Sequence, residues 1–340
     1  MTKGSAWEYC QAMAIGQRAL GRTGQSISAI GFGCGNQAGL LVRGEPREQV
    51  RVIARAIDLG ITCFDTAAQY GNGVSEQNLG RALRELKPRD ALVGTKLQFG
   101  QPDVAAGQAR IRELFEASLS RLGRESVDVL FYHGRIILGA GGARSLSVAD
   151  MLGPVLDAFR GFRAEGRVRF LGFTGLGDTA ATAQVVRPDA FDVFHCYYSA
   201  VNPSAGFAVP DGFGQQDFGG LLERARAAGM GAFVIRVMAA GALAGTVERH
   251  PLASREGAPL IAGVDYDADA GQAERLRPVA DELGVSLPEL AIRFALSNPD
   301  ISSVLVGFSD HAQLEEAARA AEAGPLPAGA LERIVGDLLL

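Results

Sequence analysis

Apolar residues along this chain fall into two alternating patterns: short continuous runs, and stretches in which they recur every three or four positions. A short run bounded by turn residues predicts a buried strand, and a 3.6-residue recurrence predicts an amphipathic helix. Strands are predicted at residues 30–33, 62–65, 92–97, 127–132, 168–173, 191–197, 232–237 and 301–306. Helices fill the gaps. One opens at Pro46, carries Val50, Ile53, Ala54 and Ile57 on one face and closes at Gly60. The next has Ser75 as its N-cap and Leu79, Leu83 and Leu86 inward. Others follow at Ile111 to Leu122, at 151–164 with Val155, Phe159 and Phe162 inward, after a capping Asp178, near 216–228, behind a Ser286 to Glu289 capping box, and at 310–323. Residues 327–338 predict one more. Ahead of the alternation, residues 17–27 predict a hairpin turning at Gly21 to Gly24, and residues 1–16 read as a flexible extension.

Eight strand–helix alternations predict an α/β fold with a parallel sheet and helical crossovers. Closure into a (β/α)₈ TIM barrel fits both the count and the 340-residue length, with residues 17–340 as one domain. The competing doubly wound sheet needs a glycine-rich phosphate loop after its first strand. Gly31 to Asn36 lacks glycines at those offsets. Three strand-to-helix connections are long (134–147, 198–215 and 238–271) and fall on the carboxyl rim of such a barrel, where ligands bind. Phe207, Phe213 and Tyr266 predict a partly apolar pocket wall there.

Composition narrows the function. A net charge of -5 gives no basic footprint for nucleic acid or anionic membrane. No apolar run is long enough to span a bilayer, and the first sixteen residues lack the continuous apolar region of a signal peptide, so a cytoplasmic protein is expected. Cys10, Cys34, Cys63 and Cys196 are scattered and read as reduced thiols. No HxH begins a metal site, so no metal is expected.

The candidate chemistry sits at consecutive strand ends. Asp65 ends the second predicted strand, Lys96 lies at the end of the third, His133 follows the fourth, and Tyr70 stands on the loop after Asp65. In a barrel these four share one rim. A free tyrosine has a pKa near 10, so acid–base work at neutral pH asks for a decrease of about 3 units, or about 4 kcal/mol. One ammonium about 4 Å away contributes about 4 kcal/mol at an effective dielectric of about 20. A buried lysine tends to lose its proton, and Asp65 opposes that loss. His133 can hydrogen-bond a carbonyl oxygen. Each residue alone has a structural reading as ion pair, cap or core histidine; together they suit proton transfer to an oxygen.

The stretch FDTAAQYGNGVSEQNLGRAL is similar to the first signature of the aldo-keto reductases, and GTK and the strand-four histidine resemble its later motifs. The resemblance runs from about residue 17 to the C-terminus and implies a barrel with a hairpin at its bottom. It implies a catalytic tetrad of Asp65, Tyr70, Lys96 and His133, with Tyr70 as general acid–base and hydride passing between nicotinamide and a carbonyl carbon. It implies cofactor contacts at Gly33, Thr174, Gly175, His195, Arg236, Met238, Leu243, Gly307, Phe308, Ser309, Gln313 and Glu316, and a substrate pocket including Cys34, Phe99 and Phe207. Several positions depart from the family pattern. Thr174-Gly175 replaces a Ser-Asn pair, His195 a glutamine, and Ile235 or Arg236 an aromatic. Gly307 and Gln313 replace the lysine and arginine that grip the 2′-phosphate of NADP, which makes NAD at least competitive. The Gly-Phe-Gly-Cys-Gly start resembles the branch that oxidises free sugars or pyridoxal.

Competing readings remain at this level. A Schiff-base lyase would use Lys96 as a neutral amine, which Asp65 opposes. A cofactor-binding regulatory subunit would keep the same residues without turnover.

Overall fold

The computed structural model describes residues 15–245, 248–254 and 266–339. Residues 1–14 of the expected extension, with Trp7 and Cys10, lie outside these, as does the side chain of Tyr266.

Eight parallel strands close into a barrel: β1 Ile30–Gly33, β2 Cys63–Asp65, β3 Leu92–Leu97, β4 Val127–Tyr132, β5 Val168–Thr174, β6 Val193–Tyr197, β7 Gly231–Ile235 and β8 Ser303–Gly307. Each pairs with its sequence neighbour, and β8 returns to β1 with Gly307 opposite Gly33. The strands read as almost uninterrupted apolar runs because both faces are covered, the outer by helices and the inner by the barrel's own side chains. Val129, Phe131, Val193, Phe233 and Leu305 fill that interior.

The hairpin stoppers the amino end. Its strands, Gln17–Ala19 and Ser26–Ser28, pair antiparallel, and Leu20 and Ile27 join the interior cluster. Arg18 donates to the carbonyls of Leu296, Asn298 and Ile301, and Arg22 to those of Ala228 and Phe191, all just ahead of strands. Gly21 has φ 51, and a Cβ there would come within 2.3 Å of Gly231 N, so only glycine fits.

Helices α1 Pro46–Asp58, α2 Val74–Leu86 and α3 Gln108–Leu122 cover β1 to β4. The buried face of α1 differs from expectation: Gln49, Val52, Ile53 and Ala56 point inward. The Gln49 amide donates to the carbonyls of Leu40 and Gly44 and accepts from Arg81, so its burial is satisfied and the helix rotates to place it. Ser75 is not an N-cap. Gly73, with φ 92, takes that position, and the Ser75 hydroxyl donates to Cys34 O and meets Thr66 Oγ1 at 2.8 Å. Asp178 stands at the N-cap of Thr179–Val185, but its carboxylate accepts from Leu138 N instead. The 151–164 helix begins as a wider turn, Met151–Val155, around Pro154, which has no N–H to give.

Two of the long connections are ordered by their own contacts. Arg135–Ile137 and Ser145–Ser147 pair with each other, and Leu176–Gly177 adds beside the first. This small rim sheet ties the connection after β4 to the one after β5. Residues 198–215 are fixed through Asn202, whose amide donates to Gln215 Oε1 and Gln216 O. Among the described residues, no helix is long and apolar enough to cross a membrane.

Candidate active site

Parallel pairing decides where the polar residues meet. Asp65 lies opposite Gly94, two positions ahead of Lys96 on the next strand, and both side chains enter the carboxyl end of the barrel. Lys96 Nζ donates to Asp65 Oδ2 at 2.5 Å, to Thr66 O at 2.7 Å and to Tyr70 Oη at 3.2 Å, which uses all three of its protons. Lys96 is 2% exposed. An ammonium this deep persists only with full hydrogen bonding and a counter-charge. Here burial pulls the Lys96 pKa down, but Asp65, then Tyr70, raise it by more, so the amine stays charged. Burial pushes Asp65 up, and Lys96 followed by His195 pulls it back to about 2.

Tyr70 is half-buried at the rim, its ring 4.7 Å from Lys96 Nζ and edge-on to His133. The expected lowering of its pKa is not the net result in the resting protein. Burial raises the phenol, Lys96 lowers it, Asp65 raises it again, and the sum lies above the ordinary tyrosine value. The counter-ion that keeps Lys96 charged also offsets its effect on Tyr70. Burial, with Lys96 and His195 adding to it, takes His133 down to about 3, so its imidazole is neutral. Its Nδ1 lies 3.0 Å from Gln69 Oε1. Gln69 was not singled out by sequence, since nothing in its spacing says that it faces a strand two units on.

The residues assigned to a cofactor by resemblance line the same rim in an arc. Thr174 is buried, and its Oγ1 lies 3.2 Å from His195 Nδ1. Gly175 N–H donates to His195 O, and a Cβ there would lie 2.9 Å from that oxygen, so this backbone excludes a longer residue. After β7, Arg236, Ala239 and Ala240 have φ of 63, 45 and 56, and Gly241 follows at 103. Left-handed backbone at non-glycine residues costs about 1–3 kcal/mol each and gathers at ligand sites. The N–H groups of Ala239 and Gly241 close this turn on the carbonyls of Arg236 and Met238. Burial pulls the Arg236 pKa down while Tyr197, Tyr70 and Asp269 pull it up. Met238 is half-buried and Leu243 fully buried.

At the other end of the arc, Gly33 and Gly307 pair in register, and a Cβ on Gly307 would press on Ala38 at 3.1 Å. Phe308 is buried against Phe32, and Ser309 Oγ donates to Ala38 O. Gln313 Oε1 accepts from Ser309 N, and Glu316 accepts from Ser286 Oγ at 2.6 Å. Of the expected pocket residues, Cys34 is buried beside Asp65, its N–H donating to Asp65 O. Phe99 packs edge-on to Tyr132, and Phe207 lies half-buried against Phe294. The arrangement suits proton exchange between Tyr70 and an oxygen, next to a rim whose backbone turns left-handed after β7.

Comparison with known proteins gives a consistent result. The model of the family described as "Aldo/keto reductase family" matches residues 29–336. An L-galactose dehydrogenase of Arabidopsis thaliana is 31% identical over 88% of this chain and 86% of its own. A pyridoxal 4-dehydrogenase of Microbacterium luteolum is 27% identical over 88% and 91%, and a probable voltage-gated potassium channel subunit beta of Arabidopsis thaliana is 28% identical over 90% and 91%. Among solved structures, an aldo-keto reductase from Bacillus halodurans in its holo form superposes with a TM-score of 0.71 at 23% identity, covering 97% of each chain. One from Klebsiella pneumoniae, in complex with NADP and acetate, gives 0.68 at 18% identity, over 94% and 95%.

Proposed function

Since the chain belongs to the aldo/keto reductase family, we propose that it is an NAD(P)-dependent oxidoreductase that interconverts a carbonyl and an alcohol on a small polar substrate such as an aldehyde or aldose. One observation carries this reading: Lys96 Nζ bridges the Asp65 carboxylate and the Tyr70 hydroxyl. A charged amine fixed on a phenol stabilises phenolate as the proton leaves, which is what transfer to a nascent alkoxide requires. Neutral His133 orients the same oxygen. A Schiff base would need Lys96 as a neutral amine, and the same geometry weighs against it: all three Lys96 protons are engaged and Asp65 favours the charged form.

The rim fits a dinucleotide: Gly33 and Gly307 pair in register and leave the backbone bare where a Cβ on Gly307 would press on Ala38, and the chain turns left-handed from Ala239 to Gly241. Thr174, held from behind by His195 Nδ1, would meet the carboxamide, the turn the pyrophosphate, and Gln313 and Glu316 the adenosine. When bound, the nicotinamide supplies or accepts the hydride. The positions that meet a 2′-phosphate by resemblance are Gly307 and Gln313, neither of them charged. Asp310, at the N-cap of the helix His311–Ala323, adds a negative charge.

The test is absorbance at the reduced-nicotinamide band, with both cofactors, over aldehydes, aldoses and their alcohols. Turnover is expected with both, with kcat/KM for NAD within about tenfold of NADP or above it, the size of one lost charge-assisted hydrogen bond. The relative described as a channel subunit beta favours one second reading, a cofactor-binding regulatory subunit. Tight cofactor binding with no turnover over the whole panel would establish that instead.

A pH signature follows from the phenol. With Tyr70 above its ordinary value, it is protonated throughout the neutral range. Reduction uses that proton, so its rate should stay flat from pH 6 to 9. Oxidation needs the phenolate, so its kcat/KM should climb by about tenfold per pH unit over the same span. An oxidation profile that levels off by pH 7 would mean that the phenol is acidic after all.

A further inference from the structure

Two buried polar atoms in the barrel face each other without completing a bond. Asp65 gives Oδ2 to Lys96. Its Oδ1 has no hydrogen-bond partner among the described residues, and neither has His195 Nε2, 3.3 Å away. The contact lies within ion-pair range and just outside hydrogen-bond geometry. A buried carboxylate oxygen left bare is strongly disfavoured, and the imidazole is the nearest donor able to satisfy it.

The His195 ring has little freedom to look elsewhere. It is 1% exposed. It lies flat on Phe131, with centroids 4.0 Å apart and planes at 17°, and edge-on to Phe233. Two glycines make that shelf. A Cβ at Gly172 would come within 2.5 Å of the Phe131 ring, and one at Gly94 within 3.1 Å. Small residues on the strands either side of β4 thus let Phe131 lie across the barrel and carry the imidazole toward Asp65.

We propose that neutral His195 bears its proton on Nε2 and donates it to Asp65 Oδ1, as a positioning residue that acts on Tyr70 through Asp65 and Lys96. Nδ1 is then an acceptor, so the Thr174 hydroxyl donates to it at 3.2 Å and keeps its oxygen lone pairs for a ligand. A continuous polar chain, Thr174–His195–Asp65–Lys96–Tyr70, links the cofactor rim to the phenol. With each carboxylate oxygen held by its own donor, Asp65 cannot turn away from Lys96. The charged and titratable groups around Asp65 are Lys96 and His195, with Tyr70 and His133 at the rim and the thiols of Cys34 and Cys63, which burial keeps protonated.

The consequence for turnover rests on the acid–base reading of Tyr70; the bond itself is tested in the resting protein. Nitrogen-15 NMR of histidine-labelled protein has four rings to resolve, and His195→Gln identifies the one in question. At pH 7 a neutral ring with the proton on Nε2 and a bare Nδ1 is expected. The other tautomer, or an imidazolium, overturns the proposal. Carbon-13 titration of Asp65 gives the second readout. His195→Phe keeps the ring on its shelf without a donor and should raise the Asp65 midpoint by about one to two pH units, the size of one hydrogen bond to a charged acceptor. His195→Gln retains an N–H and should hold the midpoint within about half a unit of wild type. An unmoved midpoint in the phenylalanine variant overturns the proposal. If that variant does not fold, the wild-type tautomer decides. A protein with no turnover would still give both readouts.

Discussion

Tyr70→Phe should lower kcat by about 10²–10⁴-fold, the usual worth of a positioned acid–base group, while leaving the dissociation constants for NAD and NADP almost unchanged. The substitution deletes one oxygen. The phenyl ring can stay edge-on to His133, as Tyr70 does now at a centroid distance of 5.9 Å. Lys96 would lose one of three acceptors but keep Asp65 and the Thr66 carbonyl. The pocket therefore survives while the proton donor is gone. The comparison to make is single-turnover hydride transfer alongside cofactor titration by fluorescence. A variant retaining most of its rate would remove Tyr70 from the chemistry.

Lys96→Met should be nearly as damaging to turnover and far more damaging to the fold. At 3.2 Å from the phenol oxygen, the ammonium is worth about 5 kcal/mol to a phenolate at an effective dielectric of about 20, so a fall in kcat of about 10³–10⁴-fold is expected. The methionine also leaves Asp65 as a buried anion without its counter-ion, which costs about 3–5 kcal/mol of stability. Adding Asp65→Asn separates the two effects. The double variant should recover most of the lost Tm, because no lone charge remains inside, yet stay inactive. If activity returned together with stability, Lys96 would be structural. Denaturant melts and steady-state rates on the wild type and the two variants decide it.

The barrel could be read from the chain because strands covered on both faces are written as apolar runs, and because Asp65, Lys96 and His133 stand at or beside the ends of β2, β3 and β4. The rim sheet could not. Its strands are two or three residues long and include Arg135, Ser145 and Ser147, too short and too polar to show a period. Ser75 looked like a cap because the sequence does not show that Cys34 O and Thr66 compete for its hydroxyl. The four-residue polar group could be inferred from strand order alone. The sign of the Tyr70 shift could not, since it is a balance of burial against two opposite charges whose distances only the folded chain sets. His195 was expected to serve a bound cofactor. Its approach to Asp65 depends on a shelf made by Phe131 and on glycines two strands apart, a relation that exists only in three dimensions.

The hairpin beneath the barrel has a practical corollary for handling the protein. Gly24 is exposed at its tip, at the pole away from Tyr70, and its left-handed backbone (φ 74) keeps it a glycine, so an insertion belongs beside it. A tether grafted into that turn, sparing Gly21 and Arg22, would anchor every molecule to a surface or electrode with its mouth turned outward, free to exchange reactants with the flow.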